Sequence, residues 1–122
     1  MTLTTGIDMI EIDRIETLLK DKPFLSRFFS EAEQSQYRGQ GGRASYIAGS
    51  FCAKEAFSKA IGTGLSGFAL HEVEVLRDEL GKPRLSFSGN AKALVEQRRL
   101  SFDVSISHTK EYAVAVVIAY CV

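Results

Sequence analysis

Phe51-Cys52-Ala53-Lys54-Glu55-Ala56-Phe57-Ser58-Lys59-Ala60-Ile61-Gly62-Thr63-Gly64 is the stretch from which the rest of the chain can be read. Extended back to about Arg43, it forms a long helix. At about 100° per residue, Ile47, Phe51, Phe57 and Ile61 share one stripe. Ala48, Gly49, Cys52, Ala53, Ala56 and Ala60 form a broad face of small side chains, which lets a neighbouring backbone come close. Glu55 and Lys59 are four residues apart and project from this packed-looking face. Charge in such a place needs a partner, because burying it unpaired is costly. Gly62 is a natural left-handed cap, and Gly62-Thr63-Gly64 closes the helix.

Upstream, residues 3–10 alternate loosely as a first strand that carries Asp8 near its end. Ile12, Ile15, Leu18 and Leu19 mark the inner face of a short helix, which Lys22-Pro23 breaks. An aromatic-rich segment, Phe24 to Phe29, follows. Ser30 and Glu33 match a capping box, so another helix starts at about residue 31. Gly39, Gly41 and Gly42 end it. Downstream, Leu70 to Arg77 alternates as a strand. Leu80-Gly81-Lys82-Pro83 turns into the strand Arg84–Phe87, and Ser88-Gly89-Asn90 leads into a helix over 91–98. Ser101 to Ser107 alternates cleanly, with Phe102, Val104 and Ile106 on one face and His108 continuing it. Tyr112 to Tyr120 is an almost unbroken apolar run and is expected to be a strand buried on both faces. These patterns predict an α+β fold, a mostly antiparallel sheet packed on one long central helix.

The 122 residues suit a single domain, 1–122, and an apolar fraction of 45% is enough for a core. Lys plus Arg and Asp plus Glu are 15 each, so the formal charge is zero. That argues against broad nucleic-acid binding, which runs on excess positive charge. Cys52 and Cys121 form no CxxC pair, which speaks against zinc and fits a reducing compartment. With no leader peptide and no apolar stretch of membrane-spanning length, the expectation is a cytoplasmic protein.

Several residues bear chemistry, and each has a plainer role to set beside it. Asp8 either caps the helix after it or binds a ligand. Glu55 either pairs with Lys59 on a solvated helix face or joins Asp8 in a hard-oxygen site. Two carboxylates with phosphate oxygens and waters suit Mg²⁺. Lys59 either complements the negative helix end or meets a phosphate. The Gly62-Thr63-Gly64 turn follows its helix and so is not a P-loop. Ser107, His108 and Thr109 either finish a strand or offer hydroxyl, imidazole and backbone donors to a phosphate. A serine hydrolase is disfavoured, because no Gly-x-Ser-x-Gly elbow is present.

Gly6-Ile7-Asp8, the long central motif Phe51-x-x-Lys54-Glu55-Ala56-x-x-Lys59-Ala60-x-Gly62-Thr63-Gly64, and Ser105-Ile106-Ser107-His108-Thr109 followed by Tyr112-Ala113 occur in this order. Together they resemble the holo-[acyl-carrier-protein] synthase family, the small 4′-phosphopantetheinyl transferases of bacteria, over nearly the whole chain. The resemblance implies the reaction. The phosphopantetheine arm of coenzyme A passes to a serine of apo-acyl carrier protein, in fatty acid biosynthesis, and adenosine 3′,5′-bisphosphate leaves. It implies that Asp8 and Glu55 hold Mg²⁺ against the CoA diphosphate and that Lys59 contacts the phosphates. Gly62, Thr63, Gly64, Ser107, His108 and Thr109 then line the CoA pocket. It also implies a homotrimer with CoA sites between subunits, and carrier-protein docking near the first helix through Arg14, with Lys20, Lys22 and Arg27 as further basic residues. Two positions depart from the family pattern. Ser50 stands where an arginine is common, with Arg43 a substitute from two turns earlier, and Ser35 stands where some relatives carry an acid. The alternatives from other classes are a non-catalytic CoA- or nucleotide-binding oligomeric module and a structural oligomer.

Overall fold

The computed structural model describes residues 1–121. Three strands form one antiparallel sheet: β1 (Thr2–Glu11), β5 (Tyr112–Cys121) and β4 (Ser101–His108), with β5 in the middle. Asp8 pairs with Ala115, which pairs in turn with Ile106, and Ile10, Ala113 and His108 form the next inward-facing row. β2 (Val73–Arg77) and β3 (Pro83–Phe87) form a separate antiparallel hairpin. The strands therefore make two sheets instead of one. The hairpin meets β4 through side chains: Phe87 stacks near Phe102 at 5.2 Å, and Lys82 reaches Asp103 and the Val104 carbonyl.

The helices are α1 (Ile12–Leu19), α2 (Pro23–Phe28), α3 (Glu31–Gly39), α4 (Ala44–Ile61) and α5 (Gly89–Arg98). The aromatic segment is the short helix α2, started by Pro23, a residue suited to the first helical turn. α3 begins with both hydrogen bonds of the Ser30–Glu33 capping box. Ser88 makes no side-chain cap on α5; Glu72 does so from a distance, accepting the Asn90 N–H at 2.9 Å.

α4 has 18 residues and lies across β1 and β5. Small side chains allow this. β5 presents Ala113, Ala115, Val117 and Ala119 to the helix, all buried. On β1, a Cβ at Gly6 would overlap the Ala56 carbonyl oxygen and lie 2.7 Å from the Ala60 nitrogen. Thr4 fastens the same contact, donating to the Ala60 carbonyl at 2.7 Å. Beyond the helix, Phe57 gathers Phe68, Phe87 and Phe102, with ring centroids 5.2–5.4 Å away.

β5 departs from expectation. One face is buried under α4, but Val114, Val116, Ile118 and Tyr120 on the other face are only half-buried in this chain. β1 adds Leu3, Ile7 and Met9, 56–64% exposed, to the same outer face. An apolar run marks a strand with two apolar faces, but it does not say what covers the second.

Candidate active site

β1 runs three residues past Asp8, and this carboxylate faces α4 from the inner side of the sheet. Lys59, from the last turn of the helix, donates to Asp8 Oδ1 at 3.2 Å and to the Ile7 carbonyl at 2.9 Å. Among the described residues Lys59 thus pairs with Asp8 and not with Glu55. Glu55 lies one turn earlier, half-buried. Its carboxyl is pushed up from the ordinary range, first by burial and then by the negative charge of Asp8, with Lys59 opposing. Asp8, Glu55 and Lys59 therefore form one electrostatic unit: two carboxylates that repel each other and a single ammonium, paired with Asp8.

The thiol of Cys52 packs beneath this unit. It points at the Ala113 carbonyl at 3.6 Å, and burial together with the charges of Asp8 and Glu55 pushes it up to about 12. It stays a protonated filler. Gly62 ends α4 in the left-handed conformation, φ 79°, with its N–H on the Lys59 carbonyl. Gly64 is also left-handed, and the Thr63 hydroxyl donates to its carbonyl.

His108 stands exposed at the end of β4. β5 lies between it and β1, so the strand of His108 and that of Asp8 are about 10 Å apart. α4 covers the sheet between them. Within one chain, His108 is not part of the acid–lysine unit. Ser107 points to the opposite face of the sheet from His108. The Thr109 hydroxyl accepts the N–H groups of Glu111 and Tyr112, so it is engaged in the turn. Arg14, Lys20, Lys22 and Arg27 are all exposed around α1 and α2, and Ser35 is exposed on α3. Ser50 is buried and its hydroxyl has no partner among the described residues, while Arg43 is exposed at the N-cap of α4.

A second charged group escaped the sequence. Lys54 is fully buried and its ammonium has three acceptors: Glu33 Oε1 at 2.8 Å, and the Leu70 and Val73 carbonyls at 2.9 and 2.6 Å. Glu33 also accepts the Ser30 and Val75 N–H groups. Burial pushes the Glu33 carboxyl up and the Lys54 ammonium down, and their mutual attraction opposes both shifts. The signal was available: Ser50, Lys54 and Ser58 recur every four residues along a buried helix face.

Comparison with known proteins bears on the fold and the family. The family model described as the 4′-phosphopantetheinyl transferase superfamily matches residues 4–117. The chain belongs to that superfamily. A holo-[acyl-carrier-protein] synthase of Caldanaerobacter subterraneus is 39% identical over 121 residues, covering 98% of this chain and 95% of the relative. The crystal structure of the Neisseria meningitidis holo-[acyl-carrier-protein] synthase superposes with TM-score 0.89 at 30% identity, over 97% of this chain and 98% of that one. The Bacillus anthracis synthase in complex with CoA (3′,5′-ADP) superposes with TM-score 0.79 at 38% identity, over 95% and 94%. Family membership fixes the fold and leaves the roles of individual side chains to their geometry.

Proposed function

We infer that the chain is a holo-[acyl-carrier-protein] synthase, one transferase domain over its full length. It moves the 4′-phosphopantetheine arm of CoA to a serine of apo-acyl carrier protein and releases adenosine 3′,5′-bisphosphate. The observation that carries the site assignment is the approach of Asp8, Glu55 and Lys59 from distant parts of the sequence.

In this reaction the serine oxygen attacks the phosphorus that bears pantetheine, and the bond from that phosphorus to the bridging diphosphate oxygen breaks. The transfer asks for positioning and for neutralisation of charge more than for covalent help. Lys59 supplies one positive charge at the phosphates while it stays tethered to the Ile7 carbonyl. The serine proton leaves to Glu55 or to a water held beside the two acids. Gly62, Thr63 and Gly64 border the same end of α4.

Asp8 and Glu55 fit Mg²⁺. Both offer hard oxygen donors, and one ammonium leaves their joint charge incompletely balanced. An ion held by these two acids alone would complete its shell with water and substrate phosphates. When bound, Mg²⁺ polarises the diphosphate and neutralises the charge that develops on it.

The separation of His108 from the acids favours a site shared between copies, with His108 of one subunit meeting Asp8 and Glu55 of another in a homotrimer. The uncovered apolar face of β1 and β5 is the kind of surface such an assembly needs. Arg14 meets the acidic carrier protein. Both cysteines are free thiols, in keeping with the reducing cytoplasm.

Mass spectrometry of an apo-carrier protein incubated with the enzyme, CoA and Mg²⁺ tests the reaction. The carrier should gain about 340 Da, the mass of the transferred arm, and chelation of the metal should abolish the gain. No gain under any metal condition would refute the assignment.

A further inference from the structure

The C-terminal end of α4 is a hostile place for an anion. The last four carbonyls of a helix have no partner within it, and they form the negative pole of its dipole. Asp8 and Glu55 add two acids nearby. Yet Lys59 and the Gly62-Thr63-Gly64 turn, to which the function inferred above brings phosphates, stand at this end. Lys59 is the basic residue of the last turn, but it reaches sideways to Asp8 and to the Ile7 carbonyl on β1. It leaves the carbonyls of its own helix to other donors.

Three such donors are present. The Gly62 N–H donates to the Lys59 carbonyl at 3.1 Å, and the Thr4 hydroxyl to the Ala60 carbonyl at 2.7 Å. Arg98, 37 residues further along the chain, donates from Nη1 to the Ile61 carbonyl at 2.7 Å. Of the three, only Arg98 brings a charge. No carboxylate pairs with it among the described residues, so that charge is not already spent. Arg98 also sits in the last turn of α5, so one guanidinium serves the negative ends of two helices. The backbone accepts a penalty there. Arg99 is left-handed at φ 55°, the only non-glycine residue with positive φ among the described residues. A residue with a Cβ resists that conformation. The N–H groups of Arg99 and Leu100 close α5 on the Glu96 and Val95 carbonyls, each at 3.1 Å. α5 thus stops at Arg98 without a glycine to stop it, and the guanidinium lies across the end of α4.

We propose that Arg98 is a positioning residue for the diphosphate of CoA: it offsets the negative end of α4, so that the phosphates can settle beside Lys59 and the glycine turn. The proposal rests on the CoA-transfer function inferred above. Arg98 acts through the field at the helix end and through the Ile61 carbonyl, one residue before Gly62. Its side chain is otherwise exposed, so the effect is modest and weakens with salt. Thr4 provides the contrast. It caps the adjacent carbonyl equally closely but carries no charge.

The test measures transfer from CoA to an apo-carrier protein for wild type, Arg98→Gln, Arg98→Lys and Thr4→Val. At low salt Arg98→Gln should raise KM for CoA about threefold, with kcat within about twofold of wild type and KM for the carrier unchanged. Arg98→Lys keeps the charge and should stay within about twofold of wild type in KM. Thr4→Val should lower the urea midpoint and leave KM for CoA unchanged. In about 0.5 M salt the excess KM of Arg98→Gln should shrink toward wild type. An Arg98→Gln enzyme with the wild-type KM would overturn the proposal. So would a Thr4→Val enzyme with the same rise, which would make Arg98 a structural cap and nothing more. Should Arg98→Gln not fold, Arg98→Lys decides. A near-wild-type KM supports the role of the charge, and a rise of about threefold that salt does not relieve rules it out. Failure of the underlying function looks different: wild type then neither transfers the arm nor binds CoA in a calorimeter, and the proposal falls with it. An error about Arg98 alone leaves wild type active.

Discussion

Lys54 and Glu55 are neighbours in the chain, yet they serve opposite flanks of α4. Lys54 points into the protein, where each of its three N–H donors has an acceptor and its acid partner Glu33 is equally engaged. Glu55 points to the β1 side, where it faces another acid and one lysine that is half open to water. The first cluster has no capacity left for a ligand. The second has surplus negative charge and accessible oxygen atoms. A lysine and an acid close together therefore say little by themselves; satisfied valence marks a structural tie and unsatisfied valence marks a place for chemistry.

Breaking the satisfied cluster should have the largest effect. Lys54→Ala leaves Glu33 buried and unpaired and should cost about 3–5 kcal/mol in urea unfolding, since removing one partner of a buried pair strands the other. Glu55→Gln should show the inverse pattern. Transfer to the carrier protein should fall about a hundredfold or more, because the change removes one of the two acids proposed to hold the cation that offsets the charge developing on the diphosphate. Its unfolding free energy should stay within about 1 kcal/mol of wild type and shift upward, because the repulsion with Asp8 is gone. A Glu55→Gln protein that unfolds easily would erase the contrast between the two flanks.

Glu72 grades the comparison. It lies near the surface but accepts the N–H groups of Ala69 and Asn90, and the Ala69 bond is the main cause that holds its carboxyl below the ordinary range. Glu72→Ala should cost about 1 kcal/mol, as for the loss of a helix cap. Because the folded-state pKa is depressed, this contribution is present above the unfolded-state pKa and is lost as pH falls through the folded one. Wild type and Glu72→Ala should therefore converge in stability as the pH is taken well below the ordinary glutamate pKa of about 4.3. The smallest effect belongs to Lys82 and Asp103, 2.9 Å apart but both well exposed. Lys82→Ala should lose at most about 1 kcal/mol, and less in high salt.

Local signals were strong enough to give most elements. The Ser30–Glu33 box, the left-handed Gly62 and the alternation of β4 all rest on neighbours in sequence, and each appears where expected. The second role of Glu33 did not follow, because its partner is 21 residues away on another helix. The capping pattern accounts for Glu33 without requiring that partner. The Asp8–Lys59 pair was hidden for a similar reason: Glu55 stands at the right spacing to claim Lys59, and only the crossing of α4 over β1 decides otherwise. The outer face of β5 and the distance of His108 from the acids depend on how strands are ordered in the sheet and on what covers it. Side-chain periodicity carries neither.

Gly6 has a consequence for any effort to retune this protein. Main chain touches main chain there, so the gap between strand and helix is already at its minimum, with no side chain to shorten. The backbones that carry the two carboxylates are thus held like jaws on a fixed hinge pin. Were the two acids to hold a cation as proposed, a different ionic radius would be met by rotating the acids, or by exchanging aspartate for glutamate, and not by closing the hinge.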